Sequence, residues 1–174
     1  MKVTLLQENL AYGLSIVSRA VAARSTLPVL NNILMATNAG GLQLSATDLE
    51  IGITCWIGAQ IHAAGATTVP ARRTFSDLVG TLPKDPVVMS LTVETQTLNV
   101  RCGTAKTQLK CLPANEFLPV IHSDSANSLQ LNAPDLKEMI PQVLFAASKD
   151  ESRPVLTGER WSSNGWKYSA NKLS

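Results

Sequence analysis

The order strand, helix, three strands occurs twice in succession along this chain and begins a third time, and that repetition limits the fold more than any single motif does. Residues 2–6 read as a short strand, after which Leu10, Leu14, Val17 and Val21 recur at helical spacing and predict an amphipathic helix from Asn9 to Ala22. Three strand candidates follow, Val29–Thr37, Leu42–Ala46 and Leu49–Gln60, the first two joined by the hairpin-type turn Asn38-Ala39-Gly40-Gly41. The pattern then restarts with a strand at Ala66–Val69. Pro70 should open the second helix, where its missing N–H is not needed, and Phe75, Val79 and Leu82 form the apolar stripe before Pro83 ends it. Strands Val87–Val93, Thr97–Cys102 and Lys106–Leu112 come next, with Glu94-Thr95-Gln96 as the middle turn. A third start lies at Ser128–Asn132, followed by a helix carrying Leu136, Ile140 and Val143, which Pro141 should kink or shorten.

Two copies of such a unit can pair their sheets and pack both helices on one side, which predicts an α+β domain over residues 1–118. Pro113–Asn127 has the composition of a connector, so 119–127 reads as a linker and 128–158 as part of a second domain of the same kind. Composition shifts at 159–174, which holds two of the three tryptophans and a hairpin signal at Asn164-Gly165. Trp161, Trp166 and Tyr168 could cap the open edge of the half-built second domain.

Composition mainly excludes. With 45% hydrophobic and 16% charged residues the chain can bury a core, and with only 5% aromatics that core must be mostly Leu, Val, Ile and Ala. Residues 1–113 hold nine Lys/Arg against six Asp/Glu and the remainder six against seven, a mild basic bias in the first part and no polybasic run. Cys55, Cys102 and Cys111 are odd in number and lack metal-ligand spacing, so they read as reduced, apolar, buried residues. Gln7, Glu8 and Asn9 interrupt any signal-peptide core, and no window approaches the roughly 18 apolar residues of a membrane span. The expectation is a soluble, cytoplasmic protein.

Catalysis finds no footing. Phosphate loop, nucleophile elbow, zinc-helix and dinucleotide motifs are all missing, and His62 and His122 have no spaced carboxylate or cysteine partners. Asp48 and Glu50 sit between two strands, where Asp48 should accept turn N–H bonds. No metal or cofactor is expected.

Several local strings carry a resemblance. Met1-Lys2-Val3-Thr4 opens the first strand. Arg24-Ser25-Thr26-Leu27-Pro28-Val29-Leu30 follows the first helix, and Leu42–Asp48 runs into Leu49-Glu50. Gly65-Ala66-Thr67-Thr68-Val69-Pro70-Ala71-Arg72 leads to the second helix, and Leu112-Pro113-Ala114-Asn115-Glu116-Phe117-Leu118-Pro119 closes the second repeat with Leu118 as an extra residue. In this order, over residues 1 to about 158, they resemble the bacterial DNA polymerase sliding clamps, the beta subunits of the replicative polymerase.

The resemblance implies the DNA-clamp fold, tandem β-α-β-β-β repeats with two helices on one side of curved antiparallel sheets. It also implies a non-catalytic processivity factor that surrounds duplex DNA as a homodimeric ring and serves the polymerase and the clamp loader. It places Arg24 and Arg72, with Arg73 beside them, on DNA, and Lys149 and Arg153 in a DNA-contacting loop of the second domain. The plain alternative is solvated arginines, with Arg73 at helical spacing to Asp77. Thr107 and Leu109, on the Lys106–Leu112 edge, correspond to the family's dimer interface, although a bulkier apolar residue is usual at Thr107. Only Leu156 corresponds to the edge of the peptide pocket. After Val155-Leu156-Thr157-Gly158 the sequence departs from the family pattern in the manner of a prematurely ended or frameshifted reading. From that departure the chain is expected not to close a ring and to lack normal peptide binding. A second reading is an interaction module that pairs with an intact clamp through the Lys106–Leu112 edge without encircling DNA.

Overall fold

The computed structural model describes residues 1–22, 27–71, 75–118, 131–148, 150, 152–164 and 167–172, arranged in two compact units, Met1–His122 and Ser123–Ser174.

In the first unit β1 (Lys2–Leu6) leads directly into α1 (Gln7–Val17), which tightens into a single 3₁₀ turn at Ser18–Ala20. The helix thus starts two residues earlier and ends sooner than its apolar spacing suggested. The stripe itself is as read: Leu10, Leu14, Val17 and Val21 are all buried. A 3₁₀ turn over Pro28–Asn31 precedes β2 (Asn32–Asn38), β3 (Gly41–Thr47) and β4 (Gly52–Ile57).

The expected continuous strand Leu49–Gln60 is broken at both ends. Asp48 Oδ1 accepts the N–H groups of Glu50 (3.0 Å) and Ile51 (2.8 Å), and Leu49 takes a left-handed φ of 82°, so residues 48–51 form a turn. After Gly58-Ala59 the chain changes sheets and continues as β5 (Gln60–Ala63).

The second repeat runs through β6 (Ala66–Pro70), α2 (Ser76–Thr81), β7 (Pro86–Thr92), β8 (Thr97–Cys102) and β9 (Ala105–Lys110). Pro70 ends β6 and stands directly before Ala71, where helical geometry begins. It pairs there with Asn32, at a strand end where a missing N–H is tolerated.

All pairings are antiparallel, in sheets ordered β4-β3-β2-β6 and β5-β1-β7-β8-β9. Each set of three strands that follows a helix takes the entry strand of the other repeat as its fourth member: β6 lies on β2, and β1 lies on β7. Neither repeat can therefore complete a sheet alone. A single core joins Val3 and Leu5 of β1, Leu10 and Leu14 of α1, Ile33 and Met35 of β2, Val69 of β6, Val79 of α2 and Met89 and Leu98 of the second repeat. Aliphatic residues dominate it, and Phe75 supplies a fully buried ring. Cys102 and Cys111 are buried and Cys55 half-buried, all as free thiols. Burial pushes the Cys111 thiol pKa up, against smaller opposing effects of hydrogen bonds involving Thr67 and the Leu98 backbone.

In the second unit α3 (Ala133–Leu144) continues through Pro141 instead of stopping there. It has no buried residue, and Leu144 and Phe145 at its end are exposed. β10 (Glu159–Asn164) and β11 (Lys167–Lys172) pair antiparallel with Asn164 opposite Lys167, and Trp166 of the expected cap lies outside the described residues. β11 lies near α3.

Candidate nucleic-acid interface

Two contacts hold the helices of the first unit side by side. At the start of α1 the buried Gln7 side chain donates from Nε2 to the Val79 carbonyl of α2 at 2.7 Å. At the other end the Ser18 and Ser76 hydroxyls are 3.3 Å apart, joining the turn after α1 to the first residue of α2. Both helices keep one face in solvent, with Glu8, Tyr12 and Ser15 exposed on α1 and Asp77, Gly80 and Thr81 on α2. They cover the core from outside and are not sandwiched between the sheets.

Arg24, Arg72, Arg73 and Lys149 lie outside the described residues. The Ala22 N–H donates to the Leu30 carbonyl at 3.2 Å, closing the segment that contains Arg24. Ala71 and Phe75, which bracket Arg72 and Arg73, are both buried.

In the second unit the Ser148 N–H donates to the Leu156 carbonyl at 2.8 Å, so the segment bearing Lys149 and Arg153 is closed at its ends. Arg153 is exposed and Leu156 half-buried. The Ser152 side chain and backbone N–H lower the Asp150 pKa, the latter reaching Oδ1 at 3.0 Å, so an anion sits in the same loop as these cations.

Thr107 and Leu109 are on β9, an edge strand. Leu109 stands opposite Leu98 and Thr107 opposite Val100; Leu109 is only 7% exposed, and its side chain belongs to the core of its own unit. What β9 offers outward is its free backbone edge and the exposed Lys106, Gln108 and Lys110.

Sequence reasoning did not single out Gln7, Ser18, Ser76 or Arg19. Gln7 was readable as a polar residue next to an apolar stripe. The serine pair, 58 residues apart, carried no local signal. Arg19 is exposed and has no ion pair among the described residues. A second concentration of positive charge lies on the solvent face of the five-stranded sheet, where Lys2, Arg101 and Lys106 border an open depression. Arg101 and Lys106 are directly opposite each other across β8 and β9.

Among the described residues no group of His, Cys, Asp and Glu could hold a metal, and no helix is long and apolar enough to cross a membrane.

Strand-exchanged repeats with paired helices on the outside of antiparallel sheets define a DNA-clamp domain. Residues 1–121 match the family described as DNA polymerase III beta subunit, N-terminal domain, and the chain belongs to that family. It is 41% identical over 163 residues to the beta sliding clamp of Synechococcus elongatus, covering 91% of this chain and 42% of that protein. It is 32% identical over 166 residues to the beta sliding clamp of Escherichia coli K12, covering 95% of this chain and 45% of that one. Among solved structures it is similar to the sliding clamp of Bartonella birtlesii, with a TM-score of 0.87, 31% identity, and coverage of 98% of this chain and 45% of the other. The chain thus spans less than half the length of these relatives.

Proposed function

We propose that this chain supplies the duplex-DNA-facing wall of a sliding clamp, a non-catalytic processivity factor of a replicative DNA polymerase acting in the cytoplasm. The observation that carries the reading is the Ser18–Ser76 contact. It joins the chain positions leading to Arg24 with those following Arg72 and Arg73, so two segments distant in sequence can contribute cations to one surface. A sliding protein needs contacts to phosphates, which are the same at every base pair; readout of base edges would arrest it. A few arginines on a rigid helical face meet that requirement.

Arg24 and Arg72 are the principal phosphate contacts in this reading, with Arg73 beside them and Lys149 and Arg153 adding a second, weaker group. Residues 1–118 are the complete clamp domain, 119–127 the linker, 128–158 part of a second clamp domain and 159–174 a tail outside the family pattern. Pairing with a partner chain would use the β9 edge at Thr107 and Leu109, while of the peptide pocket for polymerase and clamp loader only the Leu156 edge is present, so neither a closed ring nor normal peptide binding is expected of this chain. Because Leu109 is already packed inside its own unit, the edge contact would rest on backbone pairing more than on that side chain.

The test is binding of a fluorescent 30-base-pair duplex to the 174-residue chain across a salt series. Arg24→Gln and Arg72→Gln should each weaken binding and reduce the slope of log K against log salt by about 0.9, the value for one lost phosphate contact. Unchanged slopes in both variants would refute the assignment.

The open β9 edge favours a second reading, a module that pairs with an intact clamp by adding this edge to the partner's sheet. Capture of a full-length clamp by the wild-type chain, lost on Gln108→Pro, would support it.

A further inference from the structure

We propose that the solvent face of the five-stranded sheet, around Lys2 and Arg101, binds an acidic peptide segment of a partner protein through its carboxylates. The inference does not use the helices and stands apart from the duplex-DNA reading. The strands β5, β1, β7, β8 and β9 contain no Asp or Glu. Three exposed cations, Lys2, Arg101 and Lys106, border the depression on their outer face. The strand registers place them. Lys2 stands opposite Ser90, Ser90 opposite Asn99 and Asn99 opposite Gln108, a row that crosses four strands on one face. Arg101 and Lys106, directly opposite each other, belong to the next row on that face.

Among the described residues none of the three cations has an ion-pair partner. Lys110, also on β9, is committed within its own unit: its ammonium donates to the Thr95 carbonyl at 3.1 Å and the Thr97 hydroxyl at 3.0 Å. Like charges facing each other across a strand pair weaken the sheet that carries them, and here no acid of the sheet offsets them. The amides between the cations are already bonded to their neighbours, Gln108 Nε2 to Asn99 Oδ1 at 2.9 Å and Asn99 Nδ2 to the Ser90 carbonyl at 3.4 Å. They form a fixed neutral platform, and recognition of charge falls to Lys2 and Arg101. The Arg101 guanidinium can take a carboxylate with two parallel bonds, and the Lys2 ammonium acts as a point charge. Lys2 and Arg101 are two strands and two residues apart, roughly 12 Å between backbones, which about four residues of an extended peptide span. Single-stranded nucleic acid is the less fitting anion, because no aromatic side chain lines the depression for bases to stack on.

The test is fluorescence anisotropy of a labelled 12-residue peptide of alternating Glu and Ser, titrated at low salt with the 174-residue chain. The wild-type chain should bind it. Arg101→Gln and Lys2→Gln should each weaken binding about two- to fivefold, as for exposed ion pairs. The same peptide with Gln in place of Glu should not bind. Arg19→Gln, which removes an equal charge from the turn after α1, should leave the affinity unchanged. The inference is overturned if the wild-type chain does not bind the Glu peptide, or if Arg101→Gln and Lys2→Gln leave its affinity unchanged. Equal binding of the Gln peptide would also overturn it, since that result means backbone addition to the β9 edge. Equal weakening by Arg19→Gln would reduce the effect to net charge and overturn it as well. Tighter binding of a 12-nucleotide single strand, lost in Arg101→Gln, would make this face a nucleic-acid site instead. The duplex salt slopes of Arg24→Gln and Arg72→Gln bear only on the DNA reading, so either reading can fail without the other.

Discussion

The two repeats of the first unit solve the same topological problem with unequal helices and unequal turns. After its helix, the first repeat makes a two-residue hairpin, Asn38 pairing with Gly41, whereas the second uses a four-residue connection between Thr92 and Thr97. α1 has 11 residues and buries Leu10, Leu14 and Val17, while α2 has 6 and buries Val79. Their entry strands are exchanged, so the weaker repeat is not left to stand by itself. Its sheet is completed by β1, and its helix is tied to α1 through Gln7. Unequal parts in an exchanged architecture should melt as one.

The most severe way to test this is to cut into each helix. Leu14→Ala should cost about 2–5 kcal/mol, and Val79→Ala somewhat less, about 1.5–3 kcal/mol, because fewer buried atoms are removed. In a Trp161→Phe, Trp166→Phe background, chemical denaturation followed by far-ultraviolet circular dichroism and by fluorescence of the remaining Trp56 should give coincident transitions for the first unit in both variants. If Val79→Ala instead splits off a separate early transition, strand exchange does not couple the repeats.

The hairpins sharpen the comparison at the level of the backbone. Gly41 has φ +135°, and an added Cβ would come within 2.4 Å of the Ile57 carbonyl oxygen. Gly41→Ala should therefore lose about 3 kcal/mol in equilibrium unfolding. At the corresponding corner of the second repeat Gln96 holds φ 47° with a side chain present, and its Oε1 is buried without a hydrogen-bond partner. Its Nε2 is used, donating to the Val93 carbonyl at 3.0 Å. Gln96→Gly should give a small net gain, about 0.5 kcal/mol, as relief of the left-handed strain and of the orphaned oxygen outweighs the lost bond.

What the sequence disclosed and what it hid divide along the same physical line. Helix stripes and hairpin turns are local, and Leu10, Leu14, Val17, Phe75, Val79 and Gly41 could be read directly. The transfer of β5 to the other sheet could not, because Gln60–Ala63 continues the strand-like pattern of β4 without a polar interruption. Pro70 was read as a helix start alone, whereas it also ends β6, which only the pairing with Asn32 discloses. The candidate DNA surface was legible as arginine positions within family-like strings, which lie outside the described residues, whereas the contact of Ser18 with Ser76 is wholly tertiary. For Leu109 the sequence showed an apolar residue on an edge strand, and the inward turn of its side chain emerges only with the register of β9 on β8.

Gln7 is the direct bond between the unequal helices. Removing its amide with Gln7→Ala should destabilise the first unit by about 1 kcal/mol, near the lower end for a buried hydrogen bond. The Val79 carbonyl also receives the Leu82 N–H at 3.3 Å, so it is not left without a donor. A loss well above 2 kcal/mol would mean that Gln7 also sets the packing of α2.

The smallest effect isolates electrostatics at the two helix starts. Glu8 lies in the first turn of α1 and Asp77 in the first turn of α2, and both carboxylates favour the positive end of their helix. Glu8 has an additional partner, Lys84, which follows α2 in the chain, so this ion pair also crosses from one repeat to the other. Among the described residues Asp77 has none. Both Glu8 and Lys84 are largely exposed, so their pair should contribute no more than about 0.5 kcal/mol and fade at high salt. Asp77→Asn then measures the helix-end effect alone, and Glu8→Gln measures that effect plus the ion pair. The excess of the second loss over the first should disappear in 1 M salt (roughly a 3 Å screening length) and should also disappear in a Lys84→Ala background. An excess that persists in both conditions would place the stabilising role of Glu8 in α1 itself, and the repeats would then be joined by their core, strands and Gln7 without this charge contact.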